Sequence, residues 1–351
     1  QRGDRPSSTV QPAEEPLPEL SDDWKGWIIE NKLRQIPNEN LIQTMIRDGI
    51  DADLATRAVH TIQADPTFQQ QHEATQRLRK LESVLATQRK VSELSSNFGT
   101  IERRKDVSKE EFLEQYYATN TPVILTDMMN DWPALSLWNS EFFRTQYGDA
   151  EVQIQFGRNS DPDYEVNCNK HKLTIRMRQY VDMIRQGGDS NNYYMVANNG
   201  NLDRPELKDL LKDIILPEWL NPDDLTGRAF FWFGPEGSIT PLHHDPCNLI
   251  MAQIHGRKRW RMISPAHTPL IYNDIGVFSR VDLENPDYEK YPLFKDVHII
   301  ETIVNPGEII FVPVGWWHQV KGLDVSISLS FTNFVFPNAY SYQDPHIRSG
   351  S

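Results

Sequence analysis

Three side chains in the second half of the chain have the types and setting of a metal site. Thr240-Pro-Leu-His243-His-Asp245 puts an imidazole and a carboxylate two residues apart, and in an extended strand residues two apart project from one face. On their own, these two could be no more than a buried hydrogen-bonded pair. A third donor changes the reading. His318 closes the run Pro306-Gly-Glu-Ile-Ile-Phe-Val-Pro-Val-Gly-Trp-Trp-His318, after an apolar strand and a Pro-Val-Gly turn that can carry it back toward the pair. Two imidazoles and one carboxylate leave three adjacent positions of an octahedral ion open, a donor set that suits non-haem Fe(II). With only Cys168 and Cys247 in the chain, a cysteine-rich zinc scheme does not fit. His244 alternates to the opposite face and reads as structural.

Such a site needs a rigid frame. From about residue 151 to 334 the chain reads as short β-rich runs punctuated by Pro and Gly: Val152–Phe156, Tyr193–Ala197, Ala229–Phe233, Leu249–Ile254, Trp260–Ile263, His298–Val304, Glu308–Val312 and Val325–Phe334. Many short strands with turn signals indicate a sandwich or barrel rather than a parallel α/β sheet. Upstream, Ser108-Lys-Glu-Glu111 has the form of a capping box opening a helix that carries Phe112, Tyr116 and Tyr117. Thr121-Pro-Val-Ile-Leu125 reads as a further strand.

Four stretches follow one another in a recognisable order: Thr-Pro-x-His-x-Asp from Thr240, Ala252-Gln-Ile-His-Gly-Arg-Lys258, the loop Val281-Asp-Leu-Glu-Asn-Pro-Asp-Tyr-Glu-Lys-Tyr-Pro292, and Pro-Gly-Glu through Trp-Trp-His318. On these, the chain from about 105 to 335 resembles the JmjC (cupin-like) Fe(II)- and 2-oxoglutarate-dependent oxygenases. Within them it is most similar to the hydroxylase branch that includes the hypoxia-inducible-factor asparaginyl hydroxylase and the arginine-hydroxylating JmjC proteins. The resemblance implies a mainly β fold with helices, a double-stranded β-helix (jelly-roll/cupin) catalytic domain over 98–336 behind an N-terminal helical region. It implies that His243, Asp245 and His318 bind Fe(2+) and that Lys258 pairs with the distal carboxylate of 2-oxoglutarate. Thr240 then matches a hydroxyl donor beside that carboxylate. Tyr194 matches a second donor, with Tyr193 as the competing register, and Ser330 a small polar residue near the cosubstrate, with Asn333 as second choice. The implied activity is a dioxygenase that consumes O2, releases succinate and CO2 and hydroxylates a C–H bond, favouring a protein or peptide side chain. The alternatives are a hydroxylase of a natural-product peptide or small metabolite, and a catalytically inactive cupin serving as a binding module. Cys247 and Asn248, just after Asp245, either line the substrate entrance or pack locally.

Before this domain, residues 1–20 are rich in Pro, Glu and Ser and read as a disordered lead-in. Residues 21–65 read as three short helices. Trp24, Trp27 and Ile28 mark the first; Pro37 opens the second and Gly49 ends it; Asp51 or Asp53 caps the third. A linking helix over 66–97 carries the stripe Leu78, Leu81, Leu85, Val91 and Leu94. That stripe either packs within the chain or joins two copies in a homodimer. Residues 337–351 form a tail. Lys and Arg total 36 against 49 Asp and Glu, a net charge of −13, which argues against general polyanion binding, so no nucleic-acid partner is expected. No apolar run approaches the ~18–20 residues of a membrane span. The polar N-terminus and the scarcity of cysteine fit a cytoplasmic protein.

Overall fold

A computed structural model describes residues 19–340; most of the expected lead-in and tail lie outside the described residues. Eight strands form the frame: β1 (Ala229–Gly234), β2 (Ile239–His243), β3 (Leu249–His255), β4 (Lys258–Ile263), β5 (Ile300–Val304), β6 (Ile309–Val312), β7 (Trp317–Gly322) and β8 (Ser326–Phe331). They pair antiparallel in two sheets, β6-β3-β8-β1 and β2-β7-β4-β5. Strands adjacent in the chain mostly fall in different sheets, which is the double-stranded β-helix. Met251 on β3 and Ile310 on β6 share one buried cluster with Trp260 on β4 and Val320 on β7, so the two sheets close on a common interior. Glu102–Arg104 and Val123–Leu125 extend the first sheet beyond β6, and the hairpin Asn273–Ile275/Phe278–Ser279 extends the second beyond β2.

The apolar runs of β6 and β8 are buried at every position because the first sheet is covered on both faces. Ile327, Leu329 and Phe331 pack outward on Phe112, Trp138, Phe143 and Tyr180. Two of the three alternate serines of β8 find polar partners: Ser328 Oγ donates to Gln253 Oε1 at 2.8 Å, and Ser330 Oγ accepts from Trp232 Nε1 at 2.8 Å. Ser108 caps its helical turn as expected, its Oγ accepting from Glu111 N at 3.1 Å. The helix then widens into a π turn over Phe112–Tyr117 that sets Phe112 against Trp219, ring centroids 4.4 Å apart.

The first compact unit ends at Leu85 and the second begins at Ala86, so the division falls inside the linking helix rather than at its ends. In the first unit, α1 (Asp22–Leu33), α2 (Asn38–Arg47) and α3 (Ala52–Ala64) bury Ile28, Leu41, Met45, Ala55 and Val59 together. Asp51 is the cap of α3, its carboxylate accepting from Asp53 N and Leu54 N at 3.0 Å each. Gly49 follows α2 at φ +91°, the left-handed conformation that a side chain disfavours. Helix α4 (Pro66–Ser92) stops short of residue 97, and Leu78, Leu81, Val91 and Leu94 of the expected stripe are exposed.

Candidate metal centre and cosubstrate pocket

β2 and β7 run side by side, and His243 lies directly opposite His318 in their register. Strict alternation would put Thr240 and His243 on opposite faces. An irregularity in the pairing, between His318/His243 and Val320/Thr240, shifts the phase and brings both to the interior. Asp245 lies just past the end of β2, so the reason for its company with His243 is not strand alternation but the lacing of its loop. Gly315 N donates to Asp245 O at 3.1 Å. Asn248 Oδ1 accepts from Val314 N at 2.8 Å, and Asn338 in turn holds the backbone of Asn248, accepting from its N at 2.8 Å and donating to its O at 2.9 Å. The two ligand-bearing segments are thereby tied together. Gly315 sits at φ +80° in the turn before the paired tryptophans, where a side chain would be strained.

The three donors converge. Asp245 Oδ2 is 3.7 Å from His243 Nε2 and 3.4 Å from His318 Nε2, and one ligand atom from each residue lies within 4.8 Å of the others. The Nδ1 of His243 faces Pro241 O at 2.8 Å and that of His318 faces Trp316 O at 2.9 Å. A carbonyl only accepts, so each Nδ1 carries the proton and each Nε2 keeps its lone pair toward Asp245. That is the tautomer a ligating histidine needs. Burial, reinforced by neighbouring His318, brings the His243 imidazole down to about 4 and so keeps it neutral. Burial works to raise the Asp245 carboxyl, but its closeness to His318 and His243 holds it below its ordinary range. The donor set thus fits a divalent ion.

The cavity beside the triad, about 350 Å³, is lined by Tyr194, Thr240, Lys258 and Ser330 together with His243, Asp245 and His318. Lys258 is 1% exposed, and among the described residues the hydrogen bond recorded for its Nζ goes to Tyr194 Oη at 3.1 Å. Among the described residues no carboxylate is paired with it, and burial lowers its ammonium to about 7. An uncompensated buried charge is costly, and a ligand carboxylate at this point would supply the missing partner. Burial pushes the Tyr194 phenol well above its usual range, against the pull of the Arg158 charge, and keeps it a neutral donor. Tyr193 faces the other way and donates to Met183 O at 3.0 Å. Asn333 is buried outside the cavity, its amide donating to Asn221 O at 2.7 Å.

Several residues of the site were not singled out in the sequence. Trp260 stacks on His318, centroids 5.6 Å apart and planes 24° apart; alternation from Lys258 along β4 would have pointed to it. Phe230 and Trp232 line the cavity from β1, a strand aromatic at four of six positions whose inner face the sequence does not disclose. Of the two residues after Asp245 weighed above, Cys247 lines the cavity while Asn248 is the clamp just described. Trp316 and Trp317 are outside it: Trp316 Nε1 donates to Asn120 O at 2.9 Å, and Trp317 carries the ring of His244 edge-on at 4.7 Å. A larger cleft, about 550 Å³, is lined by Ile239, Pro241 and Gln319, the residues alternate to Thr240 and His318 on the same strands.

A double-stranded β-helix whose interior brings together two histidines and an aspartate able to hold a metal ion defines a protein of the cupin class. The family model described as the cupin-like domain matches residues 108–335, and the chain belongs to that family. It is 34% identical over 236 residues to lysine-specific demethylase 8 of Xenopus tropicalis, covering 64% of this chain and 50% of that protein. It is 30% identical over 243 residues to lysine-specific demethylase JMJ30 of Arabidopsis thaliana, 66% and 54% of the two chains. Jumonji C domain-containing protein 5 of Drosophila melanogaster is 29% identical over 236 residues, 64% and 57%. The chain spans about half the length of the curated relatives it matches. These relatives carry demethylase or Jumonji C names, and the chain resembles each of them over roughly two thirds of its length.

Proposed function

We propose that this protein is an Fe(II)- and 2-oxoglutarate-dependent dioxygenase that hydroxylates a C–H bond on a protein or peptide side chain and releases succinate and CO2. The observation that carries the reading is Lys258, an ammonium buried without an acid partner in the cavity that holds the His243–Asp245–His318 triad. A cupin that only held a metal would have no use for it, whereas a dicarboxylate cosubstrate supplies its counter-charge.

In this reading His243, Asp245 and His318 hold the iron, and the Nδ1 hydrogen bonds to Pro241 and Trp316 fix the ring orientations. Lys258, with Tyr194 and Thr240 beside it, binds and orients the distal carboxylate of 2-oxoglutarate. Ser330, held by the Trp232 indole, borders the cosubstrate. Bound iron with 2-oxoglutarate and O2 supplies the oxidising power for C–H hydroxylation. The apolar walls formed by Trp260, Met251 and Val320 exclude water from the reacting centre. The exposed Leu78, Leu81 and Val91 of α4 support the further reading that this helix pairs with a second copy of the chain or recruits the substrate.

The test is succinate formation from 2-oxoglutarate with Fe(II) and O2, alone and with fractionated cell extract, with Asp245→Ala as control. Succinate that depends on Asp245 and rises with a protein fraction supports the reading. Its absence from iron-loaded protein in every fraction would reject it in favour of a binding cupin.

A further inference from the structure

The turn Pro313-Val-Gly-Trp316 stands between two of the metal donors and takes its shape from contacts outside itself. Resting on the metal-centre reading, we infer that Asn120, 194 positions before Val314 in the chain, is a positioning residue for His318 and Asp245.

The turn reaches both donors through its backbone. Gly315 N donates to Asp245 O at 3.1 Å, and the Trp316 carbonyl accepts the Nδ1 proton of His318 at 2.9 Å. Inside the turn Trp316 N donates to Pro313 O at 3.1 Å, but Pro313 brings no N–H and Gly315 leaves the backbone free to move. Two side-chain amides supply the missing restraint. Asn248 Oδ1 accepts from Val314 N at 2.8 Å, and Asn120 Nδ2 donates to Val314 O at 3.0 Å. The Trp316 indole Nε1 donates to both Asn120 O and Asn120 Oδ1 at 2.9 Å. The two ends of one amide thus hold the two residues that flank Gly315. Asn120 itself sits at φ +54°, three residues past the π turn. Glycine takes that conformation most easily, and asparagine is one of the few side chains that tolerate it. Glycine would therefore serve the local bend as well. Among the described residues the hydrogen bonds recorded for the Asn120 side chain go to the 313–316 turn, so the amide serves that turn and not its own loop. Groups that orient a ligating histidine from behind set its tautomer and its affinity for the ion.

Asn120→Gly keeps the backbone conformation and removes the amide. Asn120→Asp keeps an oxygen for the indole but turns an acceptor toward Val314 O, and it carries the test if the glycine variant does not fold. Calorimetric titration of Zn(II) into the full chain is expected to show about 10–100-fold weaker binding in either variant. NMR of the metal-free protein, labelled with nitrogen-15 at histidine, gives a readout that general loosening would not. The Nδ1–H signal of His318 is expected to shift or broaden, while that of His243, whose Nδ1 faces Pro241 O at 2.8 Å, stays in place; His243→Asn assigns the two. Unchanged Zn(II) affinity in the variants would overturn the inference, and so would movement of both ring signals together. The two readings fail separately. A parent chain that binds no Zn(II) loses the metal-centre reading and this inference with it. A parent that binds Zn(II), with variants that bind it equally well, loses only the inference.

Discussion

Replacing Lys258 by methionine keeps an unbranched side chain of similar reach and removes its charge. The lysine is buried on β4 with Tyr194 Oη as its recorded partner, and burial brings its ammonium from 10.5 to about 7. At ~1.4 kcal/mol for each pKa unit, that gap makes the protonated form on the order of 5 kcal/mol more costly in the fold than in the unfolded chain. The folded value lies below the unfolded one, so below pH 7 both states carry the proton and the fold bears the full penalty. Between 7 and 10.5 the unfolded chain holds a proton the folded one has released, and stability rises with pH across that window. A dicarboxylate reverses the situation by giving the ammonium a counter-charge. At pH 8 its binding should therefore draw in close to one proton. The lysine's charge-assisted hydrogen bond is worth ~1.5–3 kcal/mol, so Lys258→Met should weaken 2-oxoglutarate roughly 10–150-fold. The unliganded variant should nevertheless melt higher than the parent at pH 7, since a costly buried charge has gone. Calorimetric titration of 2-oxoglutarate into Zn(II)-loaded protein at pH 8, in two buffers of different ionisation enthalpy, reads affinity and proton uptake together. Unchanged affinity, or proton uptake that persists in the variant, would refute the assignment of Lys258 to the cosubstrate.

Three other perturbations follow from the same geometry. Tyr194→Phe removes the acceptor beside Lys258 Nζ and should raise the KM for 2-oxoglutarate by about 5–30-fold, a loss of ~1–2 kcal/mol, with little change in kcat; initial rates of succinate release against cosubstrate concentration decide it. The His243 imidazole is lowered to about 4 by burial and neighbouring His318, so between pH 6.5 and 4 the unfolded chain binds a proton the folded one refuses. This histidine should make the metal-free protein less stable as the pH falls through that window, and His243→Asn should flatten that part of a melting-temperature profile. Leu78→Glu with Leu81→Glu places like charges on the exposed side of α4; if that side joins two copies, light scattering should show the mass halve with circular dichroism unchanged, and an unaltered mass removes the dimer reading.

The metal donors were legible because each has an unusual type in a strongly marked setting: a His-x-Asp after a Thr-Pro pair, and a histidine closing the run that opens with Pro-Gly-Glu. Their common direction was only half legible. Alternation along β2 accounts for His243, but Thr240 joins it through an irregularity in pairing with β7, and pairing register is a property of two strands at once. Asp245 reaches the site through Gly315, Val314, Asn248 and Asn338, residues up to 90 positions apart in the chain, and no local pattern encodes such lacing. The β frame was readable as a set of short strands, yet Tyr193–Ala197 shrank to Tyr193–Tyr194 and His298–Val304 to Ile300–Val304. Strand ends depend on where a neighbour stops pairing.

Lys258 shows why a residue type can be more informative than its neighbourhood. Within the strand Lys-Arg-Trp-Arg-Met-Ile, buried and half-buried positions alternate from Lys258 to Met262, so Lys258, Trp260 and Met262 fall on one face and Arg259 and Arg261 on the other. The arginines find acids there: Arg259 and Arg261 both reach Glu284, and Arg261 Nε lies 2.8 Å from Glu301. Alternation from the buried Trp260 thus forces the lysine inward, where the turn at Gly256 leaves it little freedom. Gly256 sits at φ +68°, and a Cβ there would lie 2.2 Å from Val325 O. The bend is therefore open to glycine alone, and it sets the position at which β4, and Lys258 with it, enters the interior. A chain selected only for stability would place an apolar residue at that point, because methionine fills the same space without the cost of a buried charge. Keeping a lysine there makes sense when a ligand supplies the missing anion, and the glycine turn, the strand register and the cavity beside the triad all aim it at the same place.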